Sequence, residues 1–132
     1  MPKAVPPTVT QDEEYFWNGV AQDTLLLSRC AKCSLLQQPP SPMCPRCGSL
    51  EWGTQEASGR GTVHCWIVSR HPTEPDAEAR IVAVIDLEEG VRLVSNVQEV
   101  DPADVRNDMP VEVMFMEIDG VKLPQFRPAR SA

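Results

Sequence analysis

Cys30-Ala31-Lys32-Cys33 and Cys44-Pro45-Arg46-Cys47-Gly48 form two matched pairs, C-x2-C, ten residues, C-x2-C. A C-x2-C turn points two sulfurs the same way, at the separation one metal ion needs. Two such turns deliver four thiolates to a tetrahedral ion, and zinc takes sulfur ligands at about 2.3 Å. Soft thiolates favour zinc or iron over calcium or magnesium. Zinc held by Cys30, Cys33, Cys44 and Cys47 is the expected cofactor, with mononuclear iron the alternative. Cysteine fills all four positions and leaves none open for water, so the expected role is structural, not catalytic. The flanking residues suit the turns. Pro45 stiffens the second, and Gly48 is free to take a positive φ. Lys32 and Arg46 lie inside the turns, where cations help keep the thiolates deprotonated.

The N-terminal MPKAVPPTVTQDEEYF lacks the apolar core of a signal peptide. The expected compartment is therefore the cytoplasm, where thiols stay reduced and disulfides are disfavoured. A single C-x2-C would leave redox chemistry open; two matched pairs favour metal. The fifth cysteine, Cys65, lies in Thr62-Val63-His64-Cys65-Trp66-Ile67-Val68, which reads as a strand. It is expected to be a small buried core residue. His64, adjacent on a strand, is expected on the opposite face, which argues against a Cys–His pair.

Outward from the cysteines, 132 residues allow one domain, or a small module joined to one domain. No run is long enough to span a membrane. A net charge of −7 opposes non-specific binding of a phosphate backbone, although zinc ribbons often bind nucleic acid. Thirteen prolines argue for extended segments over long helices.

Residues 1–10 read as an extended tail. Thr10, with Glu13 three residues on, is a capping-box signal for a helix over 11–21 carrying Tyr15, Phe16 and Trp17. Three consecutive aromatics cannot all be buried in a lone helix. Either the helix packs between two surfaces or part of it meets a partner. Leu25-Leu26-Leu27 leads into the first turn as a strand, and Leu35-Leu36-Gln37-Gln38 pairs back as a hairpin. Trp52 is expected to pack onto this ribbon. After Gly59-Arg60-Gly61 the texture changes. Five Val- and Ile-rich strands are predicted at 61–70, 80–88, 91–99, 111–118 and 121–127. Glu88-Glu89-Gly90 and Asp119-Gly120 mark hairpins, and Asp101–Val105 one helical turn. Five strands with a long connection between the third and fourth match a small OB-type barrel. The predicted class is mainly β: an N-terminal tail and helix (1–24), a zinc ribbon (25–58), then a five-stranded OB-fold barrel and C-terminal tail (59–132).

The order and spacing of these parts resemble the family catalogued as domain of unknown function thirty-five, acyl-CoA-associated OB-fold proteins with a rubredoxin-like zinc ribbon. The resemblance covers nearly the whole chain. It is carried by Tyr15-Phe16-Trp17, Leu27–Cys33, Pro39-Pro40, Cys44–Gly48 and Trp52. It continues in Ser58–Val63, Glu88–Leu93, Met109–Val113 and Pro124–Pro128. One departure is Asn107-Asp108, where the family usually has glycine; both tolerate left-handed backbone.

The resemblance implies a non-catalytic accessory or scaffold subunit of a thiolase-superfamily enzyme, either a thiolase or a lipid-transfer-protein-like acyl-CoA aldolase. The assembly would be a heterotetramer acting on acyl-CoA in lipid or steroid side-chain metabolism. The partner-binding candidates are Tyr15, Phe16, Trp17 and Phe126. For CoA phosphates the candidate cations are Arg70, His71 and Arg80 around the 71–79 loop, with Lys122 and Arg127 on the last strand. Trp66 and Phe126 offer apolar surface. Three acids in the 71–79 loop, Glu74, Asp76 and Glu78, would oppose an anion unless they point away. Neither histidine has a visible nucleophile or acid arrangement around it, and no phosphate-cradling glycine loop is present. No catalytic centre is expected. A nucleic-acid-binding ribbon/OB module is the alternative, and a thiol enzyme using Cys65 a third reading.

Overall fold

Alternation of apolar and polar residues dictates the larger sheet. In Arg80–Leu87 the side chains of Ile81, Ala83, Ile85 and Leu87 are buried, and their neighbours are not. The computed structural model describes residues 7–74, 76 and 78–130. These residues form one short α-helix, α1 (Glu14–Ala21), entered through a 3-10 turn at Gln11–Glu13. Eight strands follow: β1 (Leu26–Cys30), β2 (Leu36–Gln37), β3 (Trp52–Glu56), β4 (Arg60–Ser69), β5 (Arg80–Leu87), β6 (Arg92–Asn96), β7 (Pro110–Ile118) and β8 (Val121–Pro128). The predicted N-terminal tail lies outside the described residues as far as residue 6.

The first three strands make a small antiparallel sheet in the order β2-β1-β3. The predicted hairpin between β1 and β2 is present, with Ser28 opposite Gln37. The third strand was not foreseen. Trp52 sits on it opposite Cys30, and its indole N–H donates to the Pro42 carbonyl at 3.0 Å.

The other five strands form a sheet in the order β6-β5-β4-β7-β8. It curls until Val97 and Phe126 bridge in parallel, and Gln98 N–H donates to the Phe126 carbonyl at 2.7 Å. That is the nearly closed barrel expected of an OB-fold. All five strands fall where the sequence placed them. Asp119 and Gly120 take φ 51° and 80° in the β7–β8 turn, as a two-residue hairpin with right-handed strand twist requires. Pro102–Asp104 is the expected helical turn, its start capped by the Asp101 carboxylate accepting from Ala103 N–H at 2.9 Å. Asp108 takes φ 63°, so the departure from glycine is absorbed by a left-handed aspartate.

A single apolar cluster joins the parts: Phe16 and Val20 of α1, Leu25 and Leu27 of the ribbon, and Val63, Ile85, Val111 and Phe126 of the barrel. The helix therefore packs between ribbon and barrel. Gly19 permits this, because a Cβ there would lie 2.9 Å from both Leu26 Cγ and the Thr24 carbonyl. The expected capping box does not form. Thr10 makes no side-chain cap; its carbonyl accepts from Glu13 N–H at 3.1 Å, because the chain enters through a 3-10 turn.

Two expectations fail in β4. Cys65 is exposed, not buried. The cause is a bulge: Val63 pairs with Ile85, but Cys65 already pairs with Val84. The extra residue shifts the alternation, so His64 and Cys65 are both exposed instead of facing opposite ways. His64 Nδ1 meets Asp86 Oδ2 at 3.0 Å.

Candidate metal centre and binding surfaces

The two cysteine turns repeat one backbone design. In the first, Cys30 N–H donates to the Leu35 carbonyl at 2.8 Å and Ser34 N–H to the Cys30 carbonyl at 3.0 Å. In the second, Cys44 N–H donates to Ser49 at 2.8 Å and Gly48 N–H to Cys44 at 2.8 Å. The residue after each pair is left-handed: Ser34 at φ 66° and Gly48 at φ 78°. Gly48 was legible in the sequence. Ser34 in the same role was not, because serine gives no signal for positive φ.

These turns bring the four sulfurs within 4.8 Å of one another. Cys30 Sγ lies 3.6 Å from Cys47 Sγ, and Cys33 Sγ lies 3.5 Å from Cys44 Sγ. A tetrahedron of sulfurs at about 2.3 Å from a central zinc has edges of about 3.8 Å, so the cluster fits the ion. Cys30 and Cys44 are buried, Cys33 is half-buried and Cys47 is exposed. Zinc here is structural: four thiolates fill its coordination shell.

The electrostatics show why the cluster needs a cation. The Leu35 backbone N–H, helped by Arg46, pulls the Cys33 thiol down to about 6. The Cys33 N–H likewise lowers Cys30. The Ser49 N–H acts the same way on Cys47, but partial desolvation of its sulfur and the other three sulfurs outweigh it and lift that thiol to about 11. The first charge is welcome and the last is resisted. A divalent ion removes the resistance. Arg46 also donates to the Cys33 carbonyl at 2.6 Å, tying one turn to the other.

The remaining candidate residues fall into separate places. Ser69 pairs with Arg80 across the β4–β5 hairpin, so Arg70, His71 and Arg80 share one end of the barrel. His71 Nδ1 is already engaged, accepting from Thr73 N–H at 3.2 Å and Glu74 N–H at 3.1 Å. Lys122 and Arg127 are held elsewhere by acids. Lys122 Nζ bonds Asp23 at 2.7 Å. Arg127 lies 3.3 Å from Glu112 and 3.7 Å from Glu99. The five candidate cations do not form one cluster.

Of the aromatic candidates, Phe126 is fully buried beside Val97 at the barrel closure. It belongs to the core and offers no surface to a partner. Phe16 is also buried, meeting Trp17 edge to face at 5.1 Å. Tyr15 and Trp17 stay half-buried, with the Tyr15 hydroxyl 3.4 Å from Gln38 Oε1. Beside Trp17 lies an open groove of about 350 Å³, floored by Phe16, Pro40, Leu93, Leu123 and Pro124.

With this geometry in view, two family models match the chain over residues 17–116: "ChsH2, rubredoxin-like zinc ribbon domain" residues 17–53, and "ChsH2, C-terminal OB-fold domain" residues 54–116. A DUF35 domain-containing scaffold protein of Methanothermobacter thermautotrophicus is 32% identical, over 77% of this chain and 80% of its own. The chain belongs to the DUF35 family. A chain of a solved Ltp2-ChsH2(DUF35) aldolase superposes with TM-score 0.86 at 40% identity, covering 92% of this chain and 98% of that one. Among curated relatives, a probable enoyl-CoA hydratase alpha subunit of Thermomonospora curvata is 41% identical over 97% of this chain. The 3-oxo-4,17-pregnadiene-20-carboxyl-CoA hydratase alpha subunit of Mycobacterium tuberculosis is 32% identical over 92%. This DUF35 chain spans only 41% and 39% of the length of those two subunits. No helix among the described residues is long and apolar enough to cross a membrane.

Proposed function

We propose that this DUF35 chain is an accessory subunit without a catalytic centre of its own. It binds a lipid-transfer-protein-like aldolase or a related thiolase-superfamily enzyme and helps it act on acyl-CoA in steroid or lipid side-chain breakdown. The carrying observation is the superposition, at TM-score 0.86 and 40% identity, on a chain of an Ltp2-ChsH2(DUF35) aldolase. The zinc site agrees with the reading: a closed four-thiolate shell stabilises a shape and leaves no position for substrate. The working compartment in this reading is the cytoplasm, where thiols stay reduced and available to zinc. A heterotetramer of two copies with an enzyme dimer is the proposed assembly.

CoA contact is assigned to the hairpin end that carries Arg70, His71 and Arg80; Lys122 and Arg127, engaged by acids, serve the fold. The half-buried Trp17, which borders the groove, and Tyr15, half-buried on the same helix, are retained as partner contacts. The test is co-expression with a lipid-transfer-protein-like aldolase or thiolase from the same organism. The expected result is a stable complex whose acyl-CoA cleavage falls sharply when this chain is left out. No complex, together with unchanged activity, overturns the proposal.

A further inference from the structure

After its bulge, β4 leaves β7 behind. Pairing with β7 covers only Arg60–Thr62, whereas pairing with β5 runs on to Ser69. The Asn107 side chain donates to the His64 carbonyl at 2.7 Å and closes that end. From Cys65 to Ser69 the far edge of β4 has no strand beside it among the described residues. Cys65, Ile67, Val68 and Ser69 are exposed there, Ile67 at 64%. Proteins usually blunt such an edge with lysine, proline or a covering loop. Cys65-Trp66-Ile67-Val68-Ser69 contains no charge and no proline, and four of its five residues are exposed.

The outer face continues this apolar character. Cys65 lies opposite Val84, and Val84 opposite Val94, which is 66% exposed. Ile67 lies opposite Val82 in the next row. Side chains in register on neighbouring strands sit about 5 Å apart, so the strip is continuous across three strands.

We propose that the open edge of β4, Cys65–Ser69, is a strand-addition site for an extended segment of the partner enzyme. This rests on the accessory-subunit reading and names the surface it uses. Unpaired main-chain groups along a strand call for another strand, not a helix. The uncharged strip calls for apolar or β-branched side chains on the segment's facing side. A second copy of this chain is a poor occupant. Five residues make an edge of about 17 Å, too short to supply alone the roughly 1,000 Å² of a stable dimer. Two chains of net charge −7 also repel. At the hairpin end, Glu74, Asp76 and Glu78 outnumber the cations Arg70 and Arg80; at the other end Asp108 sits beside Arg106. The incoming segment is therefore apolar at its centre and basic where it meets the loop acids Glu74, Asp76 and Glu78, with Arg70, His71 and Arg80 left to the CoA phosphates.

Hydrogen–deuterium exchange on the complex with that same-organism thiolase-superfamily enzyme tests the edge. The amides of 65–69 should exchange at least about tenfold more slowly in the complex than alone. Ile67→Lys places an edge lysine on an exposed position, so folding is unaffected, and it should raise Kd at least about tenfold. Leu50→Lys, on an exposed ribbon position, should change Kd less than about twofold. A complex whose 65–69 amides exchange as before, with Kd unmoved by Ile67→Lys, overturns the edge and leaves the accessory role standing. No complex at all overturns both. Self-association abolished by Ile67→Lys would hand the edge to a second copy and also defeat the proposal.

Discussion

In the barrel, five strands of up to ten residues close over Val63, Ile85, Val111 and Phe126. At the metal end of the ribbon, from Cys30 to Ser49, the buried residues are only Cys30, Cys44 and Ser49. One region has an apolar core of its own; the other has sulfur where a core would be. Leu25 and Leu27, at the opposite end of the ribbon, join the barrel's cluster and not the cysteines. The two regions should therefore respond to different insults. Metal loss should unfold the cysteine turns and spare the barrel, while core truncation should do the reverse.

The largest expected effect is on the metal. Cys44→Ser, or a strong chelator, should abolish bound zinc and free the amides of 30–50 to exchange, with the barrel amides still protected. Native mass spectrometry and hydrogen exchange read both. The pH sense follows from the thiols. Zinc binds thiolates, and Cys47 without metal holds its proton up to about 11. Protons therefore compete with the ion, and zinc should be released as pH falls, not as it rises. A zinc-free ribbon with fully protected amides would mean the sulfurs do not need the ion, and the contrast between the regions would collapse.

Next comes Phe126→Ala. Its ring is fully buried where the barrel closes, so the truncation should cost about 3–5 kcal/mol. Denaturant unfolding followed by exchange should show a weakened barrel with zinc still bound. A loss of zinc at the same midpoint would show that the two regions unfold as one unit.

How much of this contrast was readable beforehand depended on whether the signal was local. The cysteine spacing, the hairpin at Asp119-Gly120 and the Val/Ile runs are local, and each gave an element in its place. The metal site was fully legible because all four ligands lie within eighteen residues. What failed was tertiary. Phe126 sits on an ordinary strand, and only closure against Val97 turns it inward. Cys65 was placed by strict alternation, which a single-residue bulge defeats. Lys122, a candidate cation on the last strand, meets Asp23, ninety-nine residues away. No periodicity announces such a pairing.

A smaller effect probes the first residues of the barrel. A Cβ on Gly61 would stand 2.5 Å from the Asp86 carbonyl oxygen and 2.9 Å from Ile85 Cγ2. The carbonyl belongs to the paired strand β5 and cannot rotate away. Gly61→Ala should cost about 1–3 kcal/mol through overpacking, lowering the barrel's melting temperature without touching zinc content. An unchanged melting temperature would show that β4 and β5 separate easily at this point.

The smallest effect concerns the seam between helix and barrel. Lys122 on β8 meets Asp23, just past α1, at 2.7 Å, with the aspartate 63% exposed. Solvent screens such a pair, so Lys122→Ala should shift stability by no more than about 0.5 kcal/mol, and less at high salt. The helix is held instead by Phe16 and Val20 in the shared core. Val20→Ala removes buried methyl groups from a fully packed position and should cost more than the ion pair. If Lys122→Ala proved the more damaging of the two, the seam would be electrostatic. Ribbon, helix and barrel would then be bodies tied at the surface instead of through the shared core of Phe16, Val20, Leu25 and Leu27 with the barrel.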